Sequence, residues 1–164
     1  GTFTFSYLTN DHIRIIIGLM AIIFCLDYYF RKDSDKPKKP SKFASYFWPS
    51  LSGFTSFSIH AGGLPLSFYL LPMRLDRTMY VATAGLFYLL INLFKIFPYA
   101  YLGEMNFENI YTSLLLLPLA PLGVYFGAYL VDKIGQDWFY KIGYFCTLLA
   151  GCKLFYDGSI KLFL

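Results

Sequence analysis

Four stretches of this chain, Ile13–Phe30, Thr78–Phe97, Ile110–Val131 and Trp138–Tyr156, are apolar and each about as long as a bilayer is thick. At ~1.5 Å of rise per residue, about 20 helical residues cross the ~30 Å hydrocarbon core. Backbone groups in that core have no water to bond, so only helices and closed barrels can span it. Runs of this length read as helices. Of the 164 residues, 57% are hydrophobic, 21% aromatic and only 15% charged, more apolar surface than a soluble domain of this size can hide. Phe and Tyr dominate the aromatics and suit lipid contact and the headgroup zone. The chain therefore reads as an all-α integral membrane protein, a helical bundle forming one compact unit.

Charge distribution orients it. The formal charge is +4, and six of the fourteen basic residues fall between Arg31 and Lys42, in a polar, Pro-bearing loop. A basic loop between apolar runs marks the cytoplasmic side, which explains the charge without nucleic acid as a partner. The expected organisation is an N-terminal transmembrane helix in 1–30, a basic cytoplasmic linker in 31–45 and a membrane repeat in 46–164. The loop Pro98–Asn109 carries Glu104 and Glu108 without a base and fits the outer side. Pro118 and Pro121 are expected to kink the span that follows. Ile13–Phe30 is long for a signal-peptide core and is kept as a span. The chain opens on Gly1, as a fragment or a processed product would.

Catalytic chemistry finds little support. Cys25, Cys146 and Cys152 lie in apolar segments and form no CxxC pair, so they read as small packing residues. With His12 and His60 as the histidines there is no HExxH metal site and no Ser–His pair by spacing. No G-x-x-x-x-G-K-[ST] loop is present, so energy for any transport must come from an ion gradient or a partner. Neither enzyme activity, metal nor cofactor is expected.

Tyr46–Leu71 is the segment that departs from a plain span. Its centre reads His60-Ala61-Gly62-Gly63-Leu64-Pro65. Paired glycines followed by proline break a helix, through backbone entropy and a missing donor. A break in lipid exposes polar backbone, so this one should face a cavity, as a discontinuous spanning helix or a re-entrant hairpin. Arg74 and Arg77 beyond it look as cytoplasmic as the basic loop before it, which favours the re-entrant form.

A half-helix starting near Gly63–Leu66 would aim N–H groups and a positive dipole end into the membrane interior, where transporters hold anionic groups. Gly62 and Gly63 allow close backbone approach. Ser56, Ser58 and Ser67 flank the break and can add hydroxyl donors. His60 can donate to an anion or relay a proton, or can simply pack against a backbone carbonyl. On the next span Tyr88, Asn92 and Lys95 recur at intervals of four and three and share one face, as a pathway lining would. Lys95 lies close enough to the helix end to snorkel outward instead. The candidate binding residues are Ser56, His60, Gly62, Gly63, Ser67, Asn92 and Lys95. Gly123 and Gly127 form a GxxxG that reads as helix packing, and Lys153 fits either a headgroup contact or an acidic partner.

Taken in order, Leu51-Ser52-Gly53-Phe54, His60-Ala61-Gly62-Gly63-Leu64-Pro65-Leu66, Ala82-Thr83-Ala84, Asn92-Leu93-Phe94-Lys95 with Tyr99 and Gly103, and Gly123-Val124-Tyr125-Phe126-Gly127 resemble the sulfite exporter TauE/SafE family of anion transporters. Spacing over roughly Ser50 to Gly158 is similar to the second half of that family's two-repeat sequence. The family's glycine cluster is usually richer; here His60 and Ala61 stand where small residues are expected. The resemblance implies a gradient-driven secondary transporter of a small oxyanion, sulfur-containing, such as sulfite or an organosulfonate. It implies that Ile13–Phe30 closes a first repeat, that a missing first repeat or a second chain completes the pathway, and that the membrane is a bacterial inner membrane. The alternative is a non-transporting structural or assembly subunit of a membrane complex that has kept the half-fold.

Overall fold

The computed structural model describes residues 10–30, 36–101, 111, 114 and 117–163. The regular elements among them are helices, without a strand among the described residues: α1 (Asn10–Phe30), α2 (Lys42–Ile59), α3 (Gly63–Leu70), a 3-10 turn (Leu71–Met73), α4 (Arg77–Tyr101), α5 (Leu119–Lys133) and α6 (Gln136–Phe163). Two of them, α1 and α4, are long and apolar enough to cross a membrane. α6 has the length, at 28 residues, but Asp137, Lys141, Lys153, Asp157 and Lys161 make it more polar.

Several boundaries differ from the sequence expectation for local reasons. α2 begins at Lys42, inside the stretch expected as linker, because Ser41 caps it: its Oγ accepts from the Ala44 N–H at 3.1 Å. Pro118 and Pro121 kink nothing in α5. Pro118 is its N-cap and Pro121 lies in its first turn, where a missing N–H removes no helical bond. Pro98 lies inside α4, which runs on to Tyr101; Glu104 and Glu108 lie outside the described residues, as do 110, 112, 113, 115 and 116 of the expected Ile110–Val131 span.

The chain divides into two compact units, one formed by 1–75 with 140–164 and the other by 76–139. In the first, α1 and α6 run antiparallel along a seam of small residues. A Cβ on Gly18 would fall 2.6 Å from the Phe155 nitrogen, and one on Gly151 would fall 2.6 Å from the Ala21 Cβ. Gly158 follows on the same seam, its Cβ position 3.0 Å from the Asp11 carbonyl oxygen. Further along, Cys25 Sγ donates to the Tyr144 carbonyl at 3.4 Å, and the Tyr28 and Tyr144 rings stack at 3.6 Å. The α1 positions 11, 14, 18, 21, 25 and 28 follow the three–four spacing of one helical face. In lipid such contact is driven by close van der Waals packing and not by the hydrophobic effect. Cys25 is the packing cysteine; Cys146 and Cys152 are exposed.

Ile13, Ile17 and Ala21 of α1 also meet Leu64 and Phe68 of α3 in the buried core of this unit. Phe24 and Trp48 pack on Phe68, with ring centroids 4.9 and 5.2 Å away. α2 and α3 lie antiparallel: Tyr69 OH donates to Ser45 Oγ at 3.3 Å, and Ser52 Oγ donates to the Gly62 carbonyl at 2.6 Å. Beyond their far ends the Lys38 N–H donates to the Pro72 carbonyl at 2.9 Å, so the segment before α2 is tied to the turn after α3. That turn ends at Arg74, whose guanidinium donates to Tyr28 OH at 3.1 Å and sits 4.8 Å from the ring centroid of the fully buried Tyr140. Tyr140 OH in turn donates to the Leu75 carbonyl at 2.7 Å.

In the second unit Asp76 Oδ1 accepts from the Thr78 N–H at 2.9 Å at the start of α4. The Arg77 backbone N–H reaches Gln136 Oε1 at 3.1 Å, and its guanidinium donates to the Ile134 carbonyl. α4 and α5 contain no buried residue among those described. Their outward faces carry Leu86, Leu89, Phe94, Val124 and Tyr125, an apolar surface suited to lipid. Gly123 and Gly127, expected to hold two helices together, have no described atom within 4 Å of a Cβ at either position. The close-approach glycines are those of the α1–α6 seam.

Candidate functional site

The break in Tyr46–Leu71 is made by His60, two residues before the glycines. α2 ends at Ile59, and His60 takes left-handed backbone (φ 57°) with its N–H donating to the Thr55 carbonyl. The Ala61 N–H donates to the same oxygen at 3.3 Å. This is a helix C-terminal cap of the kind glycine usually fills. Gly62 then serves as the N-cap of α3, and Pro65 falls in the first turn, where its missing donor is harmless. So the glycines and proline start a helix, and the histidine stops one.

The two glycines have different surroundings. Gly62 is buried; a Cβ there would lie 2.6 Å from the Ser56 Cβ and 2.7 Å from the Ser52 carbonyl oxygen. Gly63, the first residue of α3, is exposed, and so is His60. Ser56 is buried against Gly62, while Ser67 donates from Oγ to the Gly63 carbonyl at 2.8 Å. The structure thus gathers Ser56, His60, Gly62, Gly63 and Ser67 around one turn. Asn92 and Lys95 belong to the second unit, on the unbroken α4, where Asn92 is exposed and Lys95 half-buried. Tyr88 is also half-buried there.

Two further groups of side chains escaped the sequence reading. Ser52 and Thr55 are fully buried beneath the break, Ser52 bonded to Gly62 and Thr55 Oγ1 donating to the Leu51 carbonyl at 2.9 Å. Their spacing with Ser56 was a visible signal, since three small hydroxyls at i, i+3 and i+4 form one face. The second group surrounds a cavity of about 430 Å³ lined by Arg14, Ile59, Leu154, Asp157, Ile160 and Lys161. Arg14 also pairs with Asp11 at 3.1 Å. Among the described residues no cluster of His, Cys, Asp and Glu could hold a metal ion.

The family model for the sulfite exporter TauE/SafE matches residues 1–154 of the 164. The chain belongs to that family. No curated protein and no solved structure matches it. The TauE/SafE match begins well before Ser50, where the motif resemblance starts, and so takes in α1 and the basic linker. Membership makes the chain an integral membrane protein of a transporter family for sulfite and related sulfur anions, with a small anion as substrate and the bilayer as surroundings.

Proposed function

We propose that the chain moves a small sulfur-containing oxyanion, sulfite or an organosulfonate, across a bacterial inner membrane, and that the α2–α3 turn is the anion-handling element. The observation that carries this is a helix interrupted and restarted at His60–Gly63 inside an apolar bundle. A helix start offers backbone donors and a positive dipole end to an anion, and the exposed Gly63 lets one approach the backbone. His60 stands beside it, Gly62 and Ser56 shape the turn, and Ser67 steadies the Gly63 carbonyl; Asn92 and Lys95, in the other unit, are proposed by themselves as polar substrate contacts of α4.

The re-entrant form of this element is supported by the bond from the Lys38 N–H to the Pro72 carbonyl, which ties together the two ends that carry the basic linker and Arg74. A gradient supplies the energy, and a first repeat or a second chain completes the pathway; the apolar, unburied α4 and α5 agree with a need for surroundings beyond the chain itself. A second reading, a non-transporting subunit, is favoured by one observation: the Ser52 and Ser67 hydroxyls are spent on backbone carbonyls within the hairpin.

Thermal-shift titration of purified protein in detergent with sulfite and sulfate separates these. Anion binding to the folded state adds about 2.7 kcal/mol at a hundredfold excess over Kd. A melting point that climbs with anion in the native protein, and that needs far more anion to climb in Gly63→Leu, supports the transporter. No response to either anion from a cooperatively melting sample leaves the subunit.

A further inference from the structure

We propose that the cavity between α1, α2 and α6 is a second, weaker oxyanion site, on the outer side of the membrane, where the anion docks next to the break and is released. This rests on the transport reading above. Arg14 comes from the first turns of α1, whose opposite end at Phe30 runs into the basic linker. With that linker cytoplasmic, the Arg14 end of the helix faces outward. The inner wall is Ile59, the residue immediately before His60, so cavity and break share a boundary. Ile59 and Leu154 also pack on the buried core cluster, which gives the cavity an apolar floor.

Its charges set its strength. Arg14 and Lys161 supply two cations to the lining, and each has a carboxylate on its own helix: Asp11 bonded to Arg14 at 3.1 Å, and Asp157 one turn before Lys161. A guanidinium carries five donors in a fork, so Arg14 can hold Asp11 and still offer N–H groups to a second anion. The carboxylates compete for the same cations. The nearby C-terminal end of α6 adds a small opposing dipole. Attraction sufficient to draw an anion from the break, and too weak to keep it, is what passage through successive sites requires.

The test is the same sulfite and sulfate titration, run on the native protein, on Gly63→Leu, and on Gly63→Leu combined with Arg14→Gln, Lys161→Gln or Asp157→Asn. In Gly63→Leu a weak sulfite response should persist. Arg14→Gln and Lys161→Gln should each raise its midpoint concentration by roughly tenfold, and Asp157→Asn should lower it by about the same factor. Side chains with a purely structural role would not give opposite signs. Loss of all response in Gly63→Leu alone would overturn the cavity site and leave the break intact. A response that ignores Gly63→Leu and disappears with Arg14→Gln would do the reverse. Midpoints that do not move in any cavity variant, or that all move one way, would also sink it. Silence in every folded variant would remove both sites.

Discussion

Ser52 Oγ and the Gly62 carbonyl oxygen lie 2.6 Å apart, buried at the point where α2 passes the start of α3. The bond fastens the restarting helix to the one that has just ended. Ser52→Ala removes this donor and leaves the carbonyl with the Leu66 N–H alone, 3.3 Å away, at a cost of about 0.5–1.5 kcal/mol. The check is a denaturation curve in detergent, where Ser52→Ala should melt clearly below the native protein and Ser58→Ala should not. Equal melting of all three would mean that the Leu66 N–H alone is enough for the Gly62 carbonyl.

His60 holds a left-handed backbone that costs an L-residue about 1–2 kcal/mol relative to glycine. His60→Gly relieves that strain and gives back part of the gain through a more flexible unfolded chain. The expected net effect is a stabilisation of about 0.5–1 kcal/mol, read from the melting midpoint. A destabilised His60→Gly would show that the imidazole contributes more to the fold than its backbone costs.

Gly151 admits no side chain, since its Cβ would land on Ala21. Gly151→Val should therefore separate α1 from α6 and cost at least about 3 kcal/mol, in the range of severe core overpacking. Size-exclusion profiles and melting curves would report the loss. Native-like behaviour of the variant would show that the two helices are free to part.

Gly127 stands in the more conspicuous motif and meets nothing within 4 Å. Gly127→Ala should lie within about 0.5 kcal/mol of the native melting free energy. A loss comparable to that of Gly151→Val would reveal a helix seated on this face.

Cysteines placed at Lys36 and Asp76, in a background with the three native cysteines replaced, should both react with an impermeant thiol reagent from the cytoplasmic side only. This follows from the tie between Lys38 and Pro72. Labelling from opposite sides would make Tyr46–Leu71 a crossing helix.

How far the sequence reveals this arrangement depends on whether the relevant signal is local. α1 and α4 are legible because a long apolar run has few other uses. The position of the break was legible from Gly62-Gly63-Leu64-Pro65, but its cause was not: a histidine in left-handed backbone is a property of the chain's path, and no residue pattern announces it. The cap at Ser41 was hidden inside a run of lysines and prolines. GxxxG at Gly123–Gly127 attracts attention because both glycines lie on one helix. Gly18 and Gly151 are isolated in sequence and meet only when α1 and α6 pair. Arg14, Asp157 and Lys161 are similar, each an ordinary charge near a helix end until the fold makes them walls of one cavity.

The α1–α6 seam also has a consequence in time. Cys25 and Tyr144, bonded across it, are 119 residues apart in the chain. At a synthesis rate of about 5–20 residues per second, α1 waits on the order of ten seconds in the membrane before its partner is made. Throughout that interval its strip of Gly18, Ala21 and Cys25 is open to any other helix nearby. Whatever shields that strip during biogenesis, lipid or an insertion factor, must give way when α6 arrives, and a ribosome that stalls beforehand leaves α1 packed on α3 but bare along its α6 face.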